Sequence, residues 1–230
     1  MIVFAHRGAS AFAPENTKAS FKKALDLGAK YFEFDVQITS DNEYVIFHDY
    51  TLERTSNGHG LLSNKTLTEL KDLDIGSWYS EEFSEEKIMT LQELIDFLPS
   101  DSFLNIELKR DKNDKRFFGE KFLKIIKPIK ERILISSFDW ELLKYLNSLE
   151  LNIPFGILID RYYTNFISDI KKLPFIPYSI NPNFKIIDEK FINTFNEYKI
   201  ITYTVNDPEK ALYLKSLGVY GIFSNYPNLI

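Results

Sequence analysis

The sequence of 230 residues contains no cysteine. Disulfide bonds, zinc–thiolate sites and cysteine nucleophiles are therefore excluded from the chemistry of this protein. A chain without cysteine suits a reducing compartment such as the cytoplasm. Any catalysis has to come from other side chains.

Long apolar runs are absent as well. No uninterrupted apolar stretch approaches the ~18 residues that a membrane-spanning helix needs. The first residues, MIVFAHRG, lack the basic start and the long apolar stretch of a secretory signal. Together these features predict a cytoplasmic location and no stable membrane insertion.

The chain also lacks an excess of positive charge. It has 28 Lys and Arg against 33 Asp and Glu, a formal net charge of −5 and a pI near 5.4. Nucleic acids and anionic membrane surfaces attract basic proteins, so this balance argues against both as partners. A small anionic substrate is compatible with it, because such a ligand responds to the local charge of its site. We predict a small-molecule partner and no nucleic acid, with no particular oligomeric state indicated.

What the sequence does contain is a repeated alternation of apolar, β-rich segments with amphipathic helical segments. The predicted strands are 2–5, 30–38, 44–48, 102–108, 132–136, 155–159, 177–181, 199–205 and 219–223. The predicted helices are at about 15–27, 91–98, 115–130, 139–149, 164–172, 187–197 and 207–217. Alternating strands and helices are typical of a parallel sheet with helical crossovers.

The predicted architecture is an α/β TIM (β/α)8 barrel that forms a single domain over residues 1–230. A doubly wound sheet is the alternative, but no G-x-G-x-x-G motif follows a strand. Nine candidate strands exceed the eight of a barrel, so 30–38 or 44–48 is expected to be a split strand or a side hairpin. Residues at about 50–90 break the alternation and predict an insertion, either a functional loop or a surface excursion.

Polar residues at strand ends indicate the chemistry. His6, Glu33, Asp35, His48 and Glu107 each lie at or near the end of a predicted strand. Glu33 and Asp35, two residues apart, share one face of their strand. Two carboxylates at ~4 Å repel by about 4 kcal/mol at an effective dielectric near 20, which a divalent cation would relieve. Salt bridges to lysines are the alternative, but after Lys30, at the start of that strand, no basic residue follows on it. Oxygen ligands favour Mg²⁺, Ca²⁺ or Mn²⁺.

Basic side chains are expected beside the same acids. Arg7 and Gly8 follow His6 and bring a fixed cation and an unhindered backbone to it. Lys109 lies two residues beyond Glu107 and is expected on the same face. With a divalent cation, these charges leave one net positive charge, which a phosphodiester would neutralise. A histidine on either side of phosphorus would supply a general base and a general acid. A carboxylate or a sugar phosphate fits the same charge balance.

The sequence also resembles one known family, the glycerophosphodiester phosphodiesterases, over nearly its whole length. The motifs that carry the resemblance are HRG at 6–8, APENT at 13–17, EFDVQ at 33–37, HD at 48–49, LERTSNGHG at 52–60, LDIGSW at 73–78, TLQELI at 90–95, IELK at 106–109 and YTVND at 203–207. The resemblance implies a TIM barrel with a small early insertion. It also implies metal-dependent hydrolysis of compounds such as glycerophosphocholine or glycerophosphoethanolamine to glycerol 3-phosphate and an alcohol.

The resemblance further implies three groups of site residues. They are Glu33, Asp35 and Glu107 for one Mg²⁺ or Ca²⁺ ion; His6 and His48 for acid–base catalysis; and Arg7, Lys109 and Glu15 for the substrate, Glu15 by holding Arg7 in place. In the mechanism proposed for the family, the glycerol hydroxyl next to the phosphate attacks phosphorus, and water then opens the cyclic phosphate. Tyr203 and Asn225 stand where the family often has Trp and Asp, which leaves the shape of the pocket open.

Two alternatives to this function are a barrel that cleaves lysolipids in the manner of a phospholipase D, and a catalytically silent barrel that binds glycerophosphodiesters. The polar and acidic character of residues 50–90 argues against the first. The presence of both histidines and all three acids argues against the second, because a silent copy has no chemical need for them.

Overall fold

A computed structural model of the chain describes residues 1–111, 113–161 and 166–230. Within these residues nine strands form, close to where the sequence predicts them. They are β1 (Ile2–His6), β2 (Tyr31–Ile38), β3 (Tyr44–Ile46), β4 (Phe103–Leu108), β5 (Ile133–Ser137), β6 (Phe155–Ile159), β7 (Ser179–Pro182), β8 (Lys199–Thr202) and β9 (Gly221–Ser224).

Eight of these strands are parallel and close into a barrel. Following the sheet, β1 pairs with β2, then the order runs through β4, β5, β6, β7, β8 and β9, and β9 pairs with β1 again. β3 pairs only with β2 and runs antiparallel to it. The predicted TIM barrel is therefore confirmed, and the ninth strand is the side hairpin that the strand count required.

The helices lie between the strands. Those described are α1 (Lys18–Asp26), α2 (Leu67–Lys71), α3 (Leu91–Phe97), α4 (Glu120–Ile126), α5 (Trp140–Asn147), α6 (Phe166–Lys171), α7 (Glu189–Thr194) and α8 (Pro208–Ser216). The helix predicted at 164–172 is described from Phe166 onward, and residues 164 and 165 lie outside the described residues. A single α-helix at 115–130 was wrong, because only α4 is α-helical and Lys127–Arg132 form a 3₁₀-helix that contains Pro128.

Side-chain caps explain where the first and last helices begin. Thr17 accepts a hydrogen bond from the backbone N–H of Ser20 and caps α1. The helix therefore begins after Asn16, whose φ of 60° is incompatible with an α-helix. Asp207 caps α8 in the same way, and Pro208 occupies its first turn, where a missing N–H costs nothing. These caps fix the residue at which each helix begins and therefore the residue at which the preceding loop ends.

The strands bury one face beneath the helices and the other inside the barrel. On β2, Phe32 and Phe34 are fully buried in the core shared with the surrounding helices. Because side chains alternate along a strand, Glu33 and Asp35 point into the barrel. A separate apolar cluster of Phe4, Leu134, Ile201 and Phe223 fills the barrel interior. This apolar cluster lies below the acidic residues, which are found toward the carboxyl ends of the strands.

The segment between β3 and α3 builds a structure of its own. It contains two 3₁₀-helices (Leu62–Asn64 and Glu81–Phe83) as well as α2. Its apolar side chains share one cluster, formed by Val45, Phe47, Leu52, Leu62, Leu70, Ile75 and Ile88. This cluster anchors the insertion next to β3.

The assignment of residues 1–230 to a single domain stays a prediction. None of the helices in the described part of the chain combines the length and the apolar character that a bilayer crossing requires.

Candidate active site

The sheet register brings the predicted site residues together at the carboxyl ends of three adjacent strands. His6, the last residue of β1, is paired with Glu33 on β2. On the other side of β2, Asp35 is paired with Glu107 on β4. Strand pairing alone therefore gathers four of the polar residues that the sequence singled out.

Three carboxylates converge in this region. One oxygen each from Glu33, Asp35 and Glu107 lie within 4.8 Å of one another. Glu33 is 2% exposed and Asp35 is fully buried. Among the described residues, Oε1 of Glu33 and Oδ1 of Asp35 have no hydrogen-bond donor. Buried carboxylate oxygens without donors are costly, so this cluster has the features of a cation site.

The pKa values of Glu33 and Asp35 are shifted in opposite directions. Burial, together with the neighbouring carboxylates of Asp35 and Glu107, raises the pKa of Glu33 well above its usual range. Burial acts in the same direction on Asp35, but the cations of Arg7 and Lys109 outweigh it and lower the pKa of Asp35. The site thus holds one firmly ionised carboxylate beside one whose negative charge is disfavoured until a cation arrives.

Two basic side chains border the acids. Nε of Arg7 lies 3.2 Å from Oδ2 of Asp35. Nζ of Lys109 lies 3.1 Å from Oε1 of Glu107 and 3.5 Å from Oδ1 of Asp35. Lys109 is mostly buried, and Glu107 and Asp35 raise its pKa although burial by itself would lower it. Both groups are therefore fixed cations, as the sequence predicted for this face.

A tight turn after β1 fixes the backbone of Arg7. Its φ is 56°, and its backbone N–H donates to Oε2 of Glu33 at 3.1 Å. Gly8 follows with a φ of 84°, and a Cβ at this position would lie 2.3 Å from Oγ of Ser20. Ser20 in turn donates its hydroxyl to the carbonyl of Arg7 at 2.8 Å. Helix α1 thus packs directly against the turn, which only glycine allows.

His6 is held as a neutral imidazole. Its Nδ1 lies 2.7 Å from the Oδ1 carbonyl oxygen of Asn225, which accepts a hydrogen bond from Nδ1–H. Burial and the Arg7 cation lower the pKa of His6 to about 3. With the proton on Nδ1, the lone pair on Nε2 is free, 3.8 Å from Oε2 of Glu33. Nε2 is therefore the ring nitrogen that can accept a hydrogen bond or a proton from a bound molecule.

His48 lies across the cavity, two residues after the end of β3. Its Nδ1 is 2.5 Å from Oδ1 of Asp49, so the carboxylate orients the ring. The His48 side chain is 30% exposed, more than twice the 13% of His6. His59, between two glycines in the insertion, is exposed and lies outside the site.

An arginine that the sequence reasoning missed joins these groups. Arg54 in the insertion donates through Nε to Oδ2 of Asp49 at 2.6 Å and through Nη1 to Oε2 of Glu15 at 2.9 Å. Glu15 also accepts from Nη1 of Arg7 at 2.8 Å. An uninterrupted series of charged contacts therefore runs from His48 to Arg7. Arg54 lies within the LERTSNGHG motif, so a signal for it was present.

Two asparagines were also missed as site residues. Asn225 follows β9 directly and obeys the same strand-end rule as the predicted residues. Asn16 donates from Nδ2 to Oδ2 of Asp35 at 2.9 Å and belongs to the APENT motif. Each forms a hydrogen bond with a predicted site residue, and neither lines the cavity itself.

These side chains surround a cavity of about 140 Å³. Its lining comprises His6, Arg7, Glu33, His48, Asn105, Glu107, Ser136, Phe138, Leu158, Tyr203, Thr204 and Phe223. One wall is polar and is formed by Asn105 and Ser136. Nδ2 of Asn105 donates to Oγ of Ser136 at 2.9 Å. The Oδ1 atom of Asn105 has no hydrogen-bond partner among the described residues. A second wall is apolar, with Phe138 and Tyr203 in edge-to-face contact.

A closed (β/α)8 barrel with acids, cations and histidines at its strand ends has the organisation of a TIM-barrel enzyme. A model of the glycerophosphoryl diester phosphodiesterase family matches residues 6–229. The chain belongs to this family. The resemblance drawn from the sequence motifs, and the prediction that the protein is an enzyme, are thereby confirmed.

Individual relatives agree with this assignment. A glycerophosphodiester phosphodiesterase of Caldanaerobacter subterraneus subsp. tengcongensis is 36% identical over 235 residues, covering 100% of this chain and 96% of the relative. One of Bacillus subtilis is 30% identical and covers 100% of this chain and 85% of the relative. The structure of an Oleispira antarctica phosphodiesterase in complex with the product sn-glycerol-3-phosphate superposes with a TM-score of 0.88 at 32% identity, covering 99% and 94% of the two chains.

Proposed function

We propose that the protein hydrolyses glycerophosphodiesters to glycerol 3-phosphate and an alcohol, with a divalent cation and two histidines at the site. The observation that supports this most strongly is a cavity lined by both histidines, Arg7, Glu33 and Glu107, with Asp35 and Lys109 in direct contact with those residues. The substrate class is also the one that the family and its relatives carry in their names.

The proposed cation ligands are Glu33, Asp35 and Glu107. Ligand oxygens on one ion lie at most about twice the metal–oxygen distance apart, which is about 4.6–5.2 Å for Ca²⁺ and about 4.0–4.2 Å for Mg²⁺. The three oxygens lie within 4.8 Å of one another, a bound that falls inside the range for Ca²⁺ and above that for Mg²⁺. Oε1 of Glu33 and Oδ1 of Asp35 accept no hydrogen bond among the described residues and fit the role of ligands. A bound cation would polarise a phosphoryl oxygen and offset the mutual repulsion of the acids.

The phosphate is proposed to bind between Arg7 and Lys109. Both lie within 3.5 Å of Asp35, at the border of the acidic cluster. Arginine presents a planar fork of donors that matches phosphate oxygens, and lysine supplies a point charge. Together with a divalent cation, they exceed the three carboxylates by one positive charge. A singly charged phosphodiester balances that excess.

The two histidines then have separate roles. His6 removes the proton from the glycerol hydroxyl next to the phosphate through its free Nε2, while Asn225 holds Nδ1–H. The alkoxide oxygen bonds to phosphorus, and the bond from phosphorus to the alcohol oxygen breaks. His48, oriented by Asp49, protonates the departing alcohol. Water then opens the cyclic phosphate with the two roles reversed, which restores both histidines.

The two walls of the cavity suit the two ends of such a substrate. The polar wall, with the unpartnered Oδ1 of Asn105 beside Ser136, offers an acceptor to a glycerol hydroxyl. The apolar wall formed by Phe138 and Tyr203 opens toward solvent, since Phe138 is 47% exposed. We place glycerol against the first wall and the variable alcohol against the second.

Release of glycerol 3-phosphate from glycerophosphocholine tests the function. We expect turnover by the purified protein with Mg²⁺ or Ca²⁺ and loss of turnover with excess chelator. A protein that binds glycerophosphocholine but releases no product under either metal would instead be the silent binding barrel. Activity that persists in excess chelator would contradict the proposed cation site but not the proposed hydrolysis of glycerophosphodiesters.

One observation favours the lysolipid alternative as a second substrate class. Several exposed aromatic side chains lie on loops at the same end of the barrel as the site, including Phe12, Trp78, Tyr79 and Tyr226. Phe12 and Tyr226 contact each other edge to face, with ring centroids 5.5 Å apart. Aromatic residues with a polar edge are enriched where proteins meet lipid headgroups. Assays on lysophosphatidylcholine beside glycerophosphocholine decide between the two substrates.

The cytoplasmic location and the absence of nucleic-acid partners stay predictions.

A further inference from the structure

We propose that Arg54 is a positioning residue that sets the orientation of His48 and of Arg7 at the same time. The inference rests on the proposed function, because it concerns the residues that would protonate the alcohol and bind the phosphate. It assigns a role in the reaction to the insertion, which supplies neither a barrel strand nor one of the three acids.

The geometry of Arg54 is that of a two-sided fork. Toward Asp49, Nε and Nη2 donate to the two carboxylate oxygens at 2.6 and 2.9 Å. Toward Glu15, Nη1 and Nη2 donate to the two carboxylate oxygens at 2.9 and 2.7 Å. A planar guanidinium satisfies two carboxylates in this way, and a lysine ammonium does not have the same geometry.

Each carboxylate held by Arg54 contacts one residue of the proposed reaction. Oδ1 of Asp49 is 2.5 Å from Nδ1 of His48. Oε1 of Glu15 is 2.8 Å from Nη1 of Arg7, and Arg7 reaches Asp35 beyond it. Arg54 itself does not line the cavity. Its influence on the reaction therefore passes through Asp49 on one side and Glu15 on the other.

Charge explains why both contacts depend on Arg54. Glu15 and Asp49 are like charges on either side of one guanidinium, and without it they repel each other. Although burial opposes the shift, hydrogen bonds from Arg54 lower the pKa of both carboxyls. Loss of Arg54 would free Asp49 to turn away from His48 and Glu15 to turn away from Arg7. Misplacement of a reacting group by about 1 Å costs up to ~100-fold in rate.

The two sides predict different kinetic effects. The Asp49 side orients the general acid, so its loss lowers kcat. The Glu15 side orients the phosphate-binding arginine, so its loss raises KM and weakens inhibition by glycerol 3-phosphate. Arg54 acts on both, so its loss changes kcat and KM together.

The test measures kcat, KM and product inhibition for Arg54→Gln, Arg54→Lys, Asp49→Asn and Glu15→Gln on glycerophosphocholine. We expect Arg54→Gln to lower kcat/KM by about 10- to 100-fold, and Arg54→Lys to recover only part of the loss. We expect Asp49→Asn to change mainly kcat and Glu15→Gln mainly KM. Arg132→Gln is the control, because Arg132 bonds to the carbonyls of Ser102 and Pro99 at the opposite end of the barrel.

The double variant Arg54→Gln with Asp49→Asn separates positioning from general destabilisation. If Arg54 acts through Asp49, the second substitution adds little to the loss in kcat, whereas independent effects multiply. Wild-type kinetics in a folded Arg54→Gln, or fully multiplied losses in the double variant, would overturn the inference. If Arg54→Gln does not fold, the same comparison is made with Arg54→Lys. Failure of the wild-type protein to release glycerol 3-phosphate would instead overturn the proposed function.

Discussion

The Nδ1 atom of His6 lies 2.7 Å from the Oδ1 atom of Asn225, although 219 positions separate the two residues along the chain. Closure of the barrel makes this contact, because β9 pairs directly with β1. The carbonyl oxygen accepts a hydrogen bond from Nδ1–H, so the proton of the neutral ring stays on Nδ1 and Nε2 carries none. The contact thereby decides which nitrogen of His6 faces the acidic cluster as a base.

Replacement of Asn225 tests this assignment. We expect Asn225→Leu to lower kcat about 10-fold or more, because the ring loses the acceptor that fixes its tautomer and orientation. Asn225→Asp retains an acceptor oxygen and is expected to keep more activity than the leucine variant. Equal losses in the two variants, measured as glycerol 3-phosphate release, would contradict a role for the accepted hydrogen bond.

The two histidines are expected to be essential. His6→Ala and His48→Ala should each lower kcat by about 10²- to 10⁴-fold, the usual contribution of general acid–base catalysis. His59→Ala is the matched control, since His59 is exposed in a surface turn of the insertion. Circular dichroism and thermal unfolding establish that each variant is folded. Near-wild-type turnover in either of the first two would refute its role.

Glu33→Gln is expected to have opposite effects on stability and on cation binding. Burial and the neighbouring carboxylates raise the pKa of Glu33, so its ionised form is unfavourable in the metal-free protein. Neutral glutamine removes that cost, and its carbonyl oxygen still accepts from the backbone of Arg7. We expect the free energy of unfolding of the metal-free protein to rise by about 1 kcal/mol.

In the same variant, stabilisation by added Mg²⁺ or Ca²⁺ should shrink, because one of three anionic ligands is lost. Thermal unfolding with and without the cation measures both effects. Glu131→Gln, which removes a carboxylate that is 90% exposed, should change neither. A metal-free Glu33→Gln protein less stable than wild type would contradict the electrostatic account of the cluster.

Removal of the cation is expected to lower kcat/KM by at least ~100-fold, since a bound cation contributes several kcal/mol to phosphoryl chemistry. The measurement is glycerol 3-phosphate release before chelation, in chelator, and after readdition of Mg²⁺ or Ca²⁺. Restoration by readdition distinguishes loss of the ion from irreversible inactivation. Full activity in chelator would be incompatible with the proposed ligands.

Gly8 and Gly28 offer a matched comparison of backbone strain and packing. Their φ angles are 84° and 83°, but a Cβ at Gly8 would meet Ser20 at 2.3 Å and one at Gly28 would meet nothing within 4 Å. Gly28→Ala should therefore cost only the conformational penalty, about 1–2 kcal/mol of unfolding free energy. Gly8→Ala should cost more and should also reduce turnover, because α1 is displaced from the turn that carries Arg7. If Gly8→Ala and Gly28→Ala lost the same unfolding free energy, the packing of α1 against the turn would not be what requires glycine at position 8.

Several features followed from the sequence because they depend on short-range pattern. The alternation of aromatic and acidic residues from Tyr31 to Val36 was sufficient to predict that Glu33 and Asp35 share the inner face. The excess of one strand over eight predicted that 30–38 or 44–48 is a split strand or a side hairpin, and the second of these is observed. The strand-end positions of His6 and Glu107 predicted their convergence, since the carboxyl ends of parallel strands meet at one end of a barrel.

Other features were not predictable in this way. The 3₁₀-helix at Lys127–Arg132 replaces the last four residues of the α-helix predicted at 115–130, and it contains Pro128, which cannot donate a backbone hydrogen bond. Arg54 lies in the LERTSNGHG motif, but no hydrophobic period or strand-end position distinguishes it from a solvent-exposed arginine. Its two carboxylate partners, Asp49 and Glu15, lie 5 and 39 residues away, and only the packing of the insertion against the barrel brings them together.

The sequence by itself determined the barrel, the insertion and the identities of the acids, cations and histidines, because hydrophobic period and strand-end chemistry are encoded within a few residues. Only the tertiary structure decided which nitrogen of His6 is free, which carboxylate is firmly ionised and how Arg54 joins the two sides of the site. Those properties arise from burial and from charged contacts between distant segments, which exist only once the barrel has closed.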